Sequence, residues 1–332
     1  MKKTLILILA AIPTGIAVGA VDAVFGRVLL YIGEVRDAHV FWLVPFLGVV
    51  GAAMAWAYKN YGVGCESGMG MVFEAGHGER EEIPLRLIPF VMCATWLTHL
   101  FGGSAGREGV AVQLGAAISH RVGRLLRFED APRIMLITGM SAGFAGLFRT
   151  PFAATAFAME VLTAGRLEHR ALLPAATAAL CASATSGLLG LEKFTFAVTE
   201  LPDWNAELLI KLAVLGLAFG LAGAAFTYLL KKCKKEALTL SAGYQGGEVT
   251  PLFSIGASLG AAASGLLGLP AALCAAMGYA AVFGSATNTL IAPALIGAEV
   301  FGWAAAPYML VTCALAYAVN GNGSIYSGQR KG

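Results

Sequence analysis

Charge is what this chain has least of. Asp, Glu, Lys and Arg make up 13% of its 332 residues, where soluble domains carry about a quarter. No polar stretch between its apolar runs is long enough to form a soluble domain. The net charge of +3 is scattered over loop ends, so no basic stripe invites nucleic acid. There are five histidines and six cysteines, Cys65, Cys93, Cys181, Cys233, Cys274 and Cys313. None of the cysteines forms a CxxC pair and no HExxH spacing occurs, which leaves free apolar thiols and argues against a metal centre or other cofactor.

What the chain has in abundance is hydrophobic residues, 58% of the total, with a mean hydropathy of +0.73. Crossing a bilayer takes about 20 apolar residues in a helix. Stretches approaching or exceeding that length recur from end to end. They predict helical spans near 4–33, 38–59, 84–101, 107–126, 132–147, 151–164, 170–190, 204–230, 252–267, 269–284, 289–300 and 303–319, with a shorter helix near Gly70. This is an all-α, multi-pass membrane pattern, as in a bacterial plasma membrane, with no catalytic constellation of an enzyme. Met1-Lys2-Lys3 and the following apolar run resemble a signal peptide. The run continues past Leu29 and Leu30, which favours an uncleaved first span with both lysines on the cytoplasmic side. Arg121, Arg124, Arg127 and Arg133, and Lys231, Lys232, Lys234 and Lys235, cluster in two connections as inside-facing loops do.

The 42 glycines and 12 prolines interrupt the spans often. Broken or re-entrant helices are tolerated at membrane depth only where protein or a polar cavity surrounds them. An internal repeat organises the breaks. Phe144–Val161, FAGLFRTPFAATAFAMEV, aligns without a gap to Phe283–Val300, FGSATNTLIAPALIGAEV. Thr150 matches Thr289, Ala153 matches Ala292 and Glu160 matches Glu299. Upstream, Gly106-Arg107-Glu108-Gly109 matches Gly246-Gly247-Glu248-Val249. Such paired halves mark secondary transporters whose site lies where broken helices meet. The halves divide as 1–190 and 191–332. The second is shorter before its glutamate by about 60 residues, near three spans' worth, and the join falls at Lys235–Glu236.

Glu108 stands directly before an apolar helix in Gly102-Gly103-Ser104-Ala105-Gly106-Arg107-Glu108-Gly109-Val110. A carboxylate inside a membrane span is costly and marks function by default. A helix N-terminus presents free N–H groups and a positive dipole end that attract anions. Glu108 can occupy that anion site itself and release it on protonation, which would tie a proton to an anion. The plainer alternative is a capping glutamate paired with Arg107. Gly68-Met69-Gly70-Met71, Gly246–Pro251 and Gly321-Asn322-Gly323-Ser324-Ile325-Tyr326 are further glycine-framed breaks. Together they could aim several helix N-termini at one point, with Pro251 near a helix start as preferred.

These segments resemble the CLC family of chloride channels and transporters over nearly the whole chain apart from the shortened region. Gly106-Arg107-Glu108-Gly109 is the most specific match. Gly68–Met71 and Gly246–Pro251 stand where the family has its serine-containing glycine motif and its glycine, aromatic and proline motif, and Tyr326 stands at its C-terminal pore tyrosine. The departures, Val110 for proline, Met69 for serine and Glu248-Val249-Thr250, resemble the fluoride-exporting branch. The resemblance implies a CLC-type inverted repeat of tilted, broken and re-entrant helices in membrane lipid, a homodimer, and exchange of fluoride for protons. Glu108 would gate and carry the proton. Gly106, Arg107, Gly109, Val110, Gly68, Met69, Gly70, Glu248, Val249, Thr250 and Tyr326 would frame the anion path. Val161 falls where many chloride/proton antiporters place an inner proton glutamate. A passive channel, and chloride or another anion as substrate, stay open on the sequence.

Glu160 and Glu299 suit structural capping, pairing or a subunit contact. His99 and His120 lie near span ends and His77 in a polar stretch. Gly102–Gly106 also fits GxSxG, the nucleophile elbow of hydrolases, which needs a strand before its serine.

Overall fold

The computed structural model describes residues 2–62, 64–65, 67–103, 105–237 and 249–331. Glu248 and its neighbours Gly246 and Gly247, as well as Ser104, lie outside them. The described chain is a succession of helices: α1 (Lys2–Ala38), the short α2 (Val40–Leu43), α3 (Leu47–Tyr61), α4 (Met69–Gly76), α5 (Leu87–Leu100), α6 (Glu108–Leu125), α7 (Ala131–Phe148), α8 (Pro151–Glu160), α9 (Leu172–Leu188), α10 (Ala206–Ala237), α11 (Val249–Leu267), α12 (Ala271–Thr287), α13 (Ile291–Phe301) and α14 (Ala306–Val319). Six helical stretches among these residues are long and apolar enough to cross a membrane.

Expected boundaries shift at several helices, among them the one expected over 204–230, which ends at Ala237, and two of the shifts have a visible local reason. The first helix runs on to Ala38. The span expected over 38–59 is broken, because Pro45 sits in a 3-10 turn, Val44–Phe46, between α2 and α3 and proline cannot donate to a helical ladder. The helix expected over 151–164 stops at Glu160. Beyond it the Val161 carbonyl accepts from Gln329 Nε2 at 3.0 Å and the Leu162 carbonyl from the Arg330 amide at 3.2 Å. A two-residue parallel ladder then pairs β1 (Thr163–Ala164) with β2 (Arg330–Lys331).

The chain divides into two compact units. One comprises Met1–Pro151, Glu168–Lys193 and Ala237–Glu248; the other comprises Phe152–Leu167, Phe194–Glu236 and Val249–Gly332. In the first, α6 and α7 cross where Gly115 meets Gly139 and Gly143 meets Ala111, backbone against backbone. Helices α1 and α9 meet the same way, Gly15 on Ala178 and Gly19 on Ala182. Small residues permit such approach in membrane proteins, where lipid tails leave packing and hydrogen bonds to hold helices together. The second unit repeats the device: α11 and α12 cross with Gly256 on Gly278 and Gly260 on the Cys274 carbonyl.

Gly278 is the repeat equivalent of Gly139, and Cys274 of Met135, whose carbonyl accepts from Ser119 Oγ. Arg149 and Asn288, equivalent again, end α7 and α12 in the left-handed conformation at φ 56° and 55°. The repeat seen in the sequence is therefore a repeat of helix crossings and helix ends.

A Cβ at Gly115 would fall on the Gly139 carbonyl oxygen. Gly115→Ala is accordingly expected to cost about 3 kcal/mol, at the upper end of overpacking penalties. The check is the unfolding midpoint of the detergent-solubilised protein beside Gly33→Ala, where a Cβ meets nothing within 4 Å and little change is expected.

Outside the apolar interior, Arg121 and Arg124 both hold Glu82, at 2.6 and 2.8 Å, and Arg133 holds Glu168 at 3.3 Å. The hydrogen bond from Arg124, helped by both positive charges, keeps the Glu82 carboxyl below its ordinary range. Cys65, Cys93, Cys181, Cys274 and Cys313 are free thiols.

Candidate functional site

The first unit carries the Gly-Arg-Glu-Gly segment. After α5 the chain turns at Gly102, with φ 82°, and the Gly103 amide closes the turn on the Thr98 carbonyl at 2.8 Å. Three residues after Ser104 the N-cap Arg107 lies with its guanidinium 5.6 Å from the centre of the Phe148 ring. Glu108 is then the first residue of α6 and is 3% exposed. Gly106, Gly109 and Val110 are buried around it. The acidic side chain thus begins a helix whose first amides have no intrahelical partners, as the sequence predicts.

Helix α4 opens beside this helix. Its N-cap Gly68 adopts φ 51°, ψ −121°, which a side chain would strain. Met69 and Gly70, half-buried, form its first turn. Facing Gly68 is Gln113 of α6, whose carboxamide nitrogen and oxygen lie 3.8 and 3.9 Å from where a Cβ on Gly68 would stand. The structure therefore brings Gly68–Gly70 against the helix that Glu108 starts.

The second unit holds the remaining described candidates. Val249 and Thr250 form the first turn of α11, Val249 buried and Thr250 exposed. Tyr326 is buried, its ring edge-on to Phe157 at 6.5 Å. Its amide is held by Ser324 Oγ at 3.2 Å, and Ser324 Oγ in turn donates to the Thr287 carbonyl at 3.4 Å. Phe157 packs on Phe283 at 6.0 Å, and Phe283 on Phe253 at 5.0 Å, one turn beyond Thr250. A run of aromatic rings thus joins the tyrosine to the start of α11.

Glu160 and Glu299 have a defined task. Glu160 Oε1 accepts the amides of Leu290, Ile291 and Ala292 at 2.9, 2.8 and 3.2 Å, at the start of α13. Glu299 accepts the amides of Phe152 and Ala153 at 3.4 and 2.7 Å, at the start of α8. Each equivalent glutamate caps the helix that carries the other, so capping is the one of the anticipated roles that the bonds display. The hydrolase alternative fails on context, because the element before Gly102 is helix α5 and the elbow needs a strand there.

The sequence pattern does not flag two buried polar residues in the first unit. Asp22 of α1 is 0% exposed, neither carboxylate oxygen has a hydrogen-bond partner, and it lies against Gly146. Gln113 is 6% exposed and its oxygen is likewise unpartnered. A single polar letter in an apolar run gives no periodicity to read.

Helices broken by glycine, an acidic residue at one buried helix start and six spans define a multi-pass α-helical membrane protein of the ion-transporting kind. The family model for voltage gated chloride channels matches residues 50–237 and 235–321, and the chain belongs to that family, the CLC proteins. A chloride/fluoride channel protein of Pseudomonas syringae pv. tomato is 32% identical over 383 residues, covering 95% of this chain and 84% of the relative. Since this chain has 332 residues, at least 51 of those aligned positions face none here. The crystal structure of a CLC-type fluoride/proton antiporter superposes with a TM-score of 0.95 at 42% identity, covering 99% of this chain and 98% of that one. A slow cyanobacterial chloride/proton antiporter shares the fold, with a TM-score of 0.79 at 19% identity and coverage of 97% and 96%.

Proposed function

We propose that this protein is a fluoride/proton antiporter that exports fluoride, with Glu108 as both gate and proton carrier. One observation carries the reading: a buried carboxyl is the first residue of α6, within Gly-Arg-Glu-Gly, on a helix packed beside the glycine-framed start of α4. An ionised carboxylate there competes with an anion for the same amides, and a protonated one does not. Similarity to the fluoride/proton antiporter structure supports fluoride as the anion.

Met69 has no hydrogen to donate, so it acts as a polarisable wall. Fluoride is small and strongly hydrated, and must find donors in place of water. In the first unit Arg107, the backbone of Gly106, Gly109 and Val110, and the backbone at Gly68 and Gly70 are assigned to its path; Val249, Thr250 and Tyr326 of the second unit belong to the same set by their motifs. Glu248 belongs to the same set by its motif. Val161, apolar at the inner position, leaves Glu108 to reach inward itself or with the help of Glu248 or water.

The repeats divide at 190/191, and the second lacks a segment at Lys235–Glu236. The meeting of the two family-model segments at 235–237 supports that deficit. The working unit is a homodimer with one pathway per subunit. Phe152, Ile291 and Trp303, exposed near the two capping glutamates, suit the subunit contact.

A passive chloride or fluoride channel is the second reading, favoured by the name of the Pseudomonas relative. Purified protein in liposomes separates the two. An outward fluoride gradient is expected to drive protons inward against their own gradient, recorded with paired fluoride and pH electrodes. Fluoride efflux without proton movement would establish the channel, and chloride efflux at the fluoride rate would remove the selectivity.

A further inference from the structure

We infer that Gln113 is a selectivity-determining residue of the anion path, supplying at the start of α4 the hydrogen-bond donor that Met69 lacks. The inference deepens the antiport reading and rests on it for the identity of the anion.

Three observations meet at this residue. Gln113 lies on α6, the helix that Glu108 begins, and is 6% exposed. Its carboxamide oxygen is buried without a hydrogen-bond partner. Leaving such a group unsatisfied is costly, and native structures tolerate it chiefly where a ligand or water completes it. Lastly, the carboxamide is aimed at Gly68, the N-cap of the eight-residue α4, with nitrogen and oxygen at 3.8 and 3.9 Å from the position of an added Cβ. Gly68 supplies no side chain to shield the helix start, and among the described residues a Cβ built there would meet nothing within 4 Å but this carboxamide.

The chemistry of a carboxamide suits two visitors of opposite character. An anion offers only acceptors, and the amide group has two N–H donors for it. A water or a protonated carboxyl offers a donor, which the oxygen accepts. Both ends stand almost equally far from Gly68, so rotation about the last side-chain torsion exchanges them. That torsion is soft. The residue therefore replaces part of the water shell of a small, strongly hydrated anion without placing a fixed charge in the path. A compact anion gains more from such donors than a large diffuse one, so the residue favours fluoride over chloride.

The test uses the full chain in liposomes, wild type beside Gln113→Met and Gln113→Glu. Fluoride and chloride efflux are recorded, and fluoride binding is titrated calorimetrically in detergent. Gln113→Met keeps length and loses both donors. It is expected to slow fluoride efflux and weaken fluoride binding about tenfold to a hundredfold, as for one lost hydrogen bond to a charged group, and to change chloride efflux far less. Gln113→Glu keeps the shape and brings an acceptor-only group, and is expected to lose at least as much.

Wild-type fluoride rates and preference in either folded variant, judged by size-exclusion profile, would overturn the inference. If Gln113→Met does not fold, the isosteric Glu variant decides alone. Fluoride binding by the wild type without transport, weakened in Gln113→Met, would overturn the antiport reading while supporting this one. Absence of both binding and transport in the wild type would overturn both.

Discussion

Glu108→Gln is expected to reduce proton movement driven by a fluoride gradient to the leak of protein-free liposomes. Glu108 is the first residue of α6 and is 3% exposed, at a helix start whose first amides have no intrahelical partner. Glutamine has the same shape and no charge. It copies the protonated state of the carboxyl and cannot leave it, so the residue can neither release a proton nor reclaim the anion site. The expected result is a loss of coupling rather than a graded slowing, because a proton carrier with no proton to exchange has no partial function. Simultaneous fluoride and pH recording checks it, and undiminished proton-coupled fluoride flux in the variant would refute the assignment. Fluoride that continues to pass while protons do not is compatible with it.

Glu160→Ala has the second large expected effect, on stability rather than transport. Three amides at the start of α13 converge on Glu160 Oε1 within 3.2 Å, and two of them also reach Oε2, at 3.3 and 3.1 Å. Alanine leaves those donors at the end of a largely buried helix without an acceptor. Each unsatisfied buried donor costs about 1–3 kcal/mol, and breaking one side of a buried charged arrangement costs about 3–5 kcal/mol. We expect about 4 kcal/mol here, a large part of the total stability of a typical domain. Glu160→Gln keeps one acceptor oxygen and is expected to lose about half as much. Glu299→Ala should cost less than Glu160→Ala, because Pro151, the repeat counterpart of Leu290, has no amide hydrogen to offer it. Thermal unfolding of the solubilised variants ranks them, and a Glu160→Ala protein as stable as wild type would remove the capping account.

Much of this arrangement is legible in the sequence, because spacing carries it. The gapless match of 144–161 with 283–300 anticipates paired crossings and paired helix ends, down to the left-handed residues Arg149 and Asn288. The Gly-Arg-Glu-Gly segment places Glu108 at a helix start because glycine ends one element and an apolar run begins the next. The repeat glutamates read as structural from their equivalence alone. The amides they hold do not, since those lie about 130 residues away in the chain. Asp22 and Gln113 escape because their importance comes from neighbours, Gly146 and Gly68, that sequence distance conceals. The β1–β2 ladder is too short to show alternation, and the residues feeding it look like a continuation of α8.

The exchange of caps between α8 and α13 has a consequence for the order of biogenesis. When α8 leaves the ribosome, the amides that Glu160 will hold have not been made, and α8 itself awaits the carboxyl of Glu299. With about 130 residues separating Glu160 from the amides that donate to it, and synthesis at roughly 5–20 residues per second, this helix passes on the order of ten seconds in the insertion machinery with a carboxyl and two amides unanswered. The nascent chain must keep that stretch wet or shielded until its last third arrives, so translation pauses between Glu160 and Glu299 would lower the yield of folded transporter more strongly than pauses before or after them.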